Sequence, residues 1–295
     1  MFCRWFFLVA CAAAAQPPKD VLVVTAQGGD YLVGAGGTLA SLIDEGYRLR
    51  VLQVTNDEKN SLDLGPAETR KANNEQAERA ARLLGATEVI NLGHKAGELG
   101  YIASTELRNE VIAMIRYFKP RIIFIPDPYV HYVPNGDVHY VGKMAEEACG
   151  YSGPSTFNPE LARMGFPGYS VPEIYYYAVG RPYRPGEGGE ERAQFRTLDI
   201  SATIERKVKA ILALETANRL YAAQTQQRLR EAGRSHPRLE RLDTPSVNAL
   251  VRAHVEELAA TIGKKHGFRY GEEFNYVGPG ESLQEHIRER ARPVR

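Results

Sequence analysis

Eight side chains expected on turns carry the groups that acid, base or metal chemistry needs: Asp30, Asp57, His94, Glu98, Asp127, His131, Asp137 and His139. Carboxylates and imidazoles do such work because they exchange a proton at accessible pH or hold a cation through O or N. A single one on a loop is most often solvated or caps a helix, whereas several gathered on one sheet edge make a site. Asp137-Val138-His139, at the start of a helix, is the best local group, with Asp137 or His139 free to bind a cation or to cap. Familiar alternatives are missing. Gly34-Ala35-Gly36-Gly37 lacks the GxGxxG spacing and falls too late after its strand for a dinucleotide turn. No Walker A sequence, GxSxG elbow or CxxC pair occurs, and Cys149 lies in an apolar helical pattern that suits core filling.

The elements that must position these groups follow from periodicity. Val21 to Thr25 is an apolar strand, Gln27 to Asp30 a Gly-rich turn, Gly36-Gly37-Thr38 a helix opening, and Leu49 to Thr55 a second strand. Pro66 to Leu84 is a helix stopped at Gly85, Glu88 to Leu92 a strand, Thr105 to Phe118 a helix, and Arg121 to Ile125 a strand closed by Pro126. Helices over Tyr140 to Cys149, Ile204 to about Ala232 and Asn248 to Ile262 follow, with strands at Val171 to Val179 and Leu198 to Ser201. Continuously apolar strands alternating with helices predict an α/β, Rossmann-like, mostly parallel sheet covered on both faces. Its site should lie outside the C-terminal strand ends, at residues 26–30, 56–58, 93–98 and 127–139. A domain over 20–235 followed by a C-terminal helical extension over 236–295 is the expected organisation.

The 295 residues, 43% hydrophobic and 25% charged, are enough to bury a sizeable core, and a net charge of +1 gives no reason to invoke nucleic acid or an anionic membrane. The N-terminal MFCRWFFLVACAAAAQPP reads as a signal peptide over 1–15, too short to span a bilayer. Export to a periplasm or medium is therefore expected, with no transmembrane span after cleavage. Leu8-Val9-Ala10-Cys11 also fits a lipoprotein box that would anchor the chain at Cys11. After either cut Cys149 is the only cysteine beyond position 12, so no intrachain disulfide forms in the mature domain.

The stretch AQGGDYLVGAGGTLASLIDEGYRLRVLQVTNDE resembles, without a gap, the first motif of the LmbE-like or PIG-L family of zinc-dependent N-acetylglucosaminyl deacetylases, AHPDDE followed by LGAGGTL and then TDGE. Arg70, ERAARLLGA, LGHKAGEL, DPYVHYVPNGDVHYVGKMAEEA, VPEIYYYAV and LDISATIERKVKA are similar to later family segments, in order, over about residues 21 to 220. The resemblance implies zinc held by two His and an Asp, an Asp base that activates the zinc-bound water, and a His that stabilises the tetrahedral intermediate. Position by position, the ligand Asp is Asp30 and the second ligand His is His139, but the first ligand His is Gln27 and the base Asp is Gly29. The stabilising His is Gly136, the Asp of the PDG turn is Ala96, and the His of the later helix is Leu214. Arg70 and Tyr132 stand as substrate-binding residues. An amide is a poor zinc ligand beside imidazole, and losing a general base costs about 10²- to 10⁴-fold, so zinc is expected to be weakly held or absent. Three readings follow: an exported, catalytically degenerate binder of a glycan or small ligand with N-acetyl sugar character; a divergent hydrolase in which His131, Asp137 or Glu58 fills the vacated roles; and a partner-binding domain using the C-terminal helices. Tyr31, Tyr129, Tyr132 and Tyr140 are the aromatics expected near the mouth.

Overall fold

The computed structural model describes residues 19–130, 135–179, 194–279, 283 and 285–292. The signal peptide expected over 1–15, the anchoring Cys11, His131 and Tyr132 lie outside the described residues. Seven strands form one sheet: β1 (Asp20–Thr25), β2 (Arg48–Thr55), β3 (Glu88–His94), β4 (Ile122–Pro126), β5 (Glu173–Tyr177), β6 (Gln194–Asp199) and β7 (Gly271–Val277). Their order is β3-β2-β1-β4-β5-β7-β6. Every pair from β3 to β5 is parallel, and β7 runs antiparallel between β5 and β6. The chain leaves β1 toward β2 and later returns to β4 on its other side, which opens a crevice at the C-terminal ends of β1 and β4.

The helices are α1 (Asp30–Asp44), α2 (Pro66–Leu84), α3 (Ser104–Phe118), α4 (Gly136–Tyr151), α5 (Pro159–Arg163), α6 (Ile204–Leu212), α7 (Glu215–Glu231), α8 (Thr244–His266) and α9 (Glu285–Arg288). Successive β1 side chains serve opposite faces, as the pleat requires. Val21 and Val23 join Leu39, Leu84, Val208 and Val255 in one core, and Leu22 and Val24 join Val111, Ile115 and Ala145 in the other. The mostly parallel α/β sheet expected from periodicity is thus present.

Three elements differ from expectation. Helix α1 opens at Asp30, not at Gly36, so the glycines lie inside it. They are tolerated because neighbours press against them: a Cβ on Gly34 would meet Tyr177 at 2.8 Å, one on Gly36 would meet Lys207 at 3.1 Å, and one on Gly37 would meet Ile200 at 2.6 Å. The long helix from Ile204 breaks between α6 and α7, where Leu214 takes φ −89° and ψ 58°. The carbonyls freed there are held by Asn218 Nδ2, which donates to Ile211 O at 2.8 Å, and by Arg79 Nη2, which donates to Ala213 O at 3.2 Å.

Finally, 236–295 is not a helical extension alone, since β7 inserts into the sheet. Its Glu272-Glu273 pair hid the strand because consecutive charges break the apolar alternation. Both are buried. Glu272 Oε1 pairs with Lys207 Nζ at 2.6 Å, and its carboxylate accepts Gly37 N–H at 2.9 Å and Thr38 N–H at 2.8 Å, while Lys207 Nζ also donates to Val33 O at 2.7 Å. This buried pair ties β7 and α6 onto the glycine-rich part of α1.

Candidate functional site

A cavity of about 420 Å³ opens at the crevice beside β1. One end is acidic and amide-rich, lined by Gln27, Gly29, Asp30, Asp57, Asn60 and Asn73 from the turns after β1 and β2 and from α2. The opposite wall is largely apolar, with Ile211, Leu214, Leu220, Tyr221 and Val255 from α6, α7 and α8.

Asp30 is the first residue of α1, where the helix dipole favours a carboxylate. Burial wins: although an edge of the residue stays open, Oδ2 is sealed from solvent with no hydrogen-bond partner. Burial pushes its carboxyl up to about 7, a backbone hydrogen bond at Gln27 pulls down, and Asp137 adds a further push upward. Asp57 is 4% exposed and sits at φ +54°, the left-handed region. This is the position of the glycine in the TDGE pattern, so the backbone explains that glycine and makes an aspartate there costly. Its Oδ1 is also sealed and unpartnered. Burial first and the Asp30 charge second raise its carboxyl to about 8, against a pull from Asn60. Asn73 is 3% exposed; its Nδ2 donates to Asp57 O at 2.9 Å and Asn60 O at 3.1 Å, which leaves Oδ1 without a donor.

The turn that would carry the deacetylase chemistry opens on the cavity at Gln27, Gly29 and Asp30 but is tightly packed at Gly28. A Cβ on Gly28 would stand 2.5 Å from Ala77 Cβ, and one on Gly29 would stand 3.0 Å from Leu214 Cδ1. The α6–α7 break therefore brings Leu214 against the spot where a base at position 29 would begin.

The other candidate residues are engaged by partners of their own. Asp137 is buried, and its carboxylate accepts the N–H groups of Gly97 and Leu99, so it braces the loop after β3. Asn135, not Asp137, caps α4, accepting Asp137 N–H at 3.0 Å. His139 is exposed on α4, edge-on to Tyr140 with centroids 5.7 Å apart, and does not line the cavity. His94 pairs with Glu110 at 2.7 Å and Glu98 with Lys59 at 3.1 Å. Asp127 accepts Tyr129 N–H at 2.9 Å and Asn275 Nδ2 at 2.7 Å. Glu58 accepts from Asn56 Nδ2 at 3.0 Å. Arg70 is exposed on α2 and away from the cavity lining.

Of the expected mouth aromatics, Tyr31 is buried, Tyr129 bonds Glu146, and Tyr140 covers Gly100, where a Cβ would meet its ring at 2.8 Å. Tyr221 and His254, whose rings lie 5.6 Å apart, line the cavity instead. Periodicity placed both on helices but gave no sign of which faces turn toward β1. Asn73 was missed for the same reason, reading as one more polar residue of an exposed helix face.

Zinc prefers four N, S or O donors in a tetrahedron, with at least three from protein. Among the described residues no three His, Cys, Asp or Glu side chains are grouped to hold a metal ion. Gln27 and Asp30 line the cavity and His139 is not among its described lining residues; of the expected ligands Gln27 is an amide, a poor zinc donor beside imidazole.

Comparison with known proteins places this geometry. Residues 22–149 match the family model described as PIG-L: GlcNAc-PI de-N-acetylase. A diacetylchitobiose deacetylase of Thermococcus kodakarensis is 25% identical over 264 residues, covering 89% of this chain and 84% of that protein. The structure of the N,N′-diacetylchitobiose deacetylase from Pyrococcus horikoshii, complexed with its inhibitor, superposes with a TM-score of 0.70 at 24% identity, over 90% of this chain and 86% of that one. The 4-carboxy-2-hydroxymuconate hydratase of Pseudomonas putida shares the fold with a TM-score of 0.61 at 20% identity, over 88% of this chain and 97% of that one. The acidic turns of the cavity fall inside the matched segment and the apolar wall outside it; it is residues 22–149 that carry the similarity to the PIG-L, or LmbE-like, family.

Proposed function

We propose that this protein is an exported member of the PIG-L family that binds a sugar-like ligand in the β1 crevice and does not hydrolyse it. The observation that carries this reading is the contact between Gly29 and Leu214. The position of the family's base is a glycine, and the space beside it holds a leucine methyl, 3.0 Å from where a Cβ would stand. Neither glycine nor leucine supplies a proton acceptor or a metal donor, so two functional positions of the resemblance carry no reactive group. Support for a sugar-like ligand comes from the N,N′-diacetylchitobiose deacetylases of similar sequence and fold, and from a cavity that joins amide side chains to an apolar wall with Tyr221. The N-terminal signal pattern supports export. Against the rearranged-hydrolase reading stand the partners of Asp137 and Glu58, which already engage both groups.

The test is metal content together with acetate release. The purified protein is expected to hold zinc below stoichiometry and to release acetate from N,N′-diacetylchitobiose at background, with or without added zinc. Gly29→Asp alone should not restore turnover, because the first ligand position is still an amide, Gln27, and the later-helix position still a leucine, Leu214. Stoichiometric zinc that is lost in His139→Ala, accompanied by hydrolysis, would overturn the reading.

A further inference from the structure

A second cavity, of about 310 Å³, is framed by the loop after β2 and the first turns of α7 and α8. Its apolar part is Leu62, Leu64, Leu242 and Val247. Leu62 and Leu64 are 43% and 42% exposed, so their side chains stand open to the space instead of being sealed beneath it. Each charged lining residue already has a counter-charge: Arg219 Nη1 meets Asp63 Oδ2 at 2.9 Å, and Glu215 Oε1 meets Arg79 Nη2 at 3.1 Å. The cavity therefore makes no demand for an ionic ligand. Its remaining polar groups are neutral amides and hydroxyls. Gln76 is fixed by a reciprocal pair with α7, donating from Nε2 to Thr216 Oγ1 at 2.8 Å and accepting Thr216 N–H at 3.0 Å. The side chains of Thr244 and Asn248 make no hydrogen bond among the described residues, which leaves donors and acceptors turned to the open space.

The two cavities share their walls. In the loop after β2, Asn60 lines the β1 crevice and Leu62 the second cavity; at the start of α7, Ala217 lines the crevice and Thr216 the second cavity. One stripe of α8 serves both, with Val247 and Asn248 in the second cavity and Val251, His254 and Val255 in the crevice. From Val247 to His254 is about two helical turns, roughly 10 Å. Only an elongated ligand reaches both ends of that stripe. We propose that the second cavity is a further subsite of the β1 crevice, and that the ligand is an uncharged oligosaccharide longer than a disaccharide, laid along α8. A sugar ring suits the subsite on both counts: its C–H face covers the open leucines, and its hydroxyls, which donate and accept, meet the amides and hydroxyls of Thr244 and Asn248.

The inference rests on the sugar-binding reading, and calorimetric titration of the full chain separates the two. The β-1,4-linked tetramer of N-acetylglucosamine should bind at least about tenfold more tightly than N,N′-diacetylchitobiose, the gain expected from one or two added hydrogen bonds with apolar cover. Leu64→Ser should bring the ratio of the two affinities close to one. Asn248→Ala, a change that a helix accepts readily, should lower the same ratio and serves if the loop variant folds poorly. Equal binding of tetramer and disaccharide by the parent overturns the subsite and leaves sugar binding standing. A tenfold ratio that survives in both variants puts the added rings somewhere else and overturns the assignment to this cavity. No binding of either sugar overturns the subsite and the sugar-binding reading together.

Discussion

A left-handed backbone costs a residue with a Cβ about 1 kcal/mol, and Asp57 adds to this the burial of a carboxyl beside Asp30. Both carboxyls have folded-state values, about 7 and about 8, above the ordinary carboxylate range. Between that range and about pH 8 the folded protein therefore holds more protons at these groups than the unfolded chain, and their contribution to stability falls as pH rises. The expected outcome is a Tm that drops by at least about 5 °C from about pH 5 to about pH 8 in the absence of ligand. Asp57→Asn should flatten that slope and raise Tm at the alkaline end. Asp57→Gly should do the same and also remove the backbone cost. Differential scanning calorimetry across the pH series decides it: a steeper fall in Asp57→Asn than in the parent would contradict the assignment of the slope to this pair.

At the scale of elements, the pair Lys207–Glu272 links α6, β7 and α1. Removing one partner leaves a buried charge uncompensated, so Lys207→Met should cost about 3–5 kcal/mol in urea unfolding. In a double-mutant cycle, Lys207→Met with Glu272→Leu should cost less than the sum of the single changes. Gly37→Ala should cost about 1–3 kcal/mol, because its methyl would meet Ile200 at 2.6 Å. The parallel half of the sheet was legible in the sequence because its strands are continuously apolar and its helices are amphipathic. Strand β7 was not, because its buried glutamates look like solvent-facing residues until Lys207 is seen opposite. The α6–α7 break was equally hidden, since Leu214 continues a helical apolar pattern and only the third dimension places it against Gly29. Asp30 and Asp57 could be read as acidic groups on strand ends. That they share a cavity with Asn73 depends on how α2 packs, which no local pattern encodes.

For the whole molecule, the cavity is a composite. Its polar end comes from the segment that matches the PIG-L model, and its apolar wall from helices beyond it. The fold alone does not choose the reaction, since it is shared with both a deacetylase and a hydratase. Among the described residues no helix is long and apolar enough to cross a membrane. A chain ending at residue 236 would lose α8 and β7, leave β5 as an exposed apolar edge and strip β6 of its neighbour. Such a chain should show no cooperative thermal transition and should elute as aggregate in size-exclusion chromatography. A sharp, monomeric transition would mean that the first 236 residues fold by themselves.

Among the described residues strand β6 pairs only with β7, and β7 follows it by more than seventy residues of chain. On the ribosome the segments therefore cannot enter the sheet in the order in which they emerge. β6 must wait, unpaired, through the synthesis of α6, α7 and α8, a delay of several seconds at about 5–20 residues per second. The cavity beside β1, whose wall includes α8, takes shape only near the end of translation. Chaperone dependence should accordingly concentrate in this late interval, when β5 presents Tyr175 and Tyr176 on an edge that nothing yet covers.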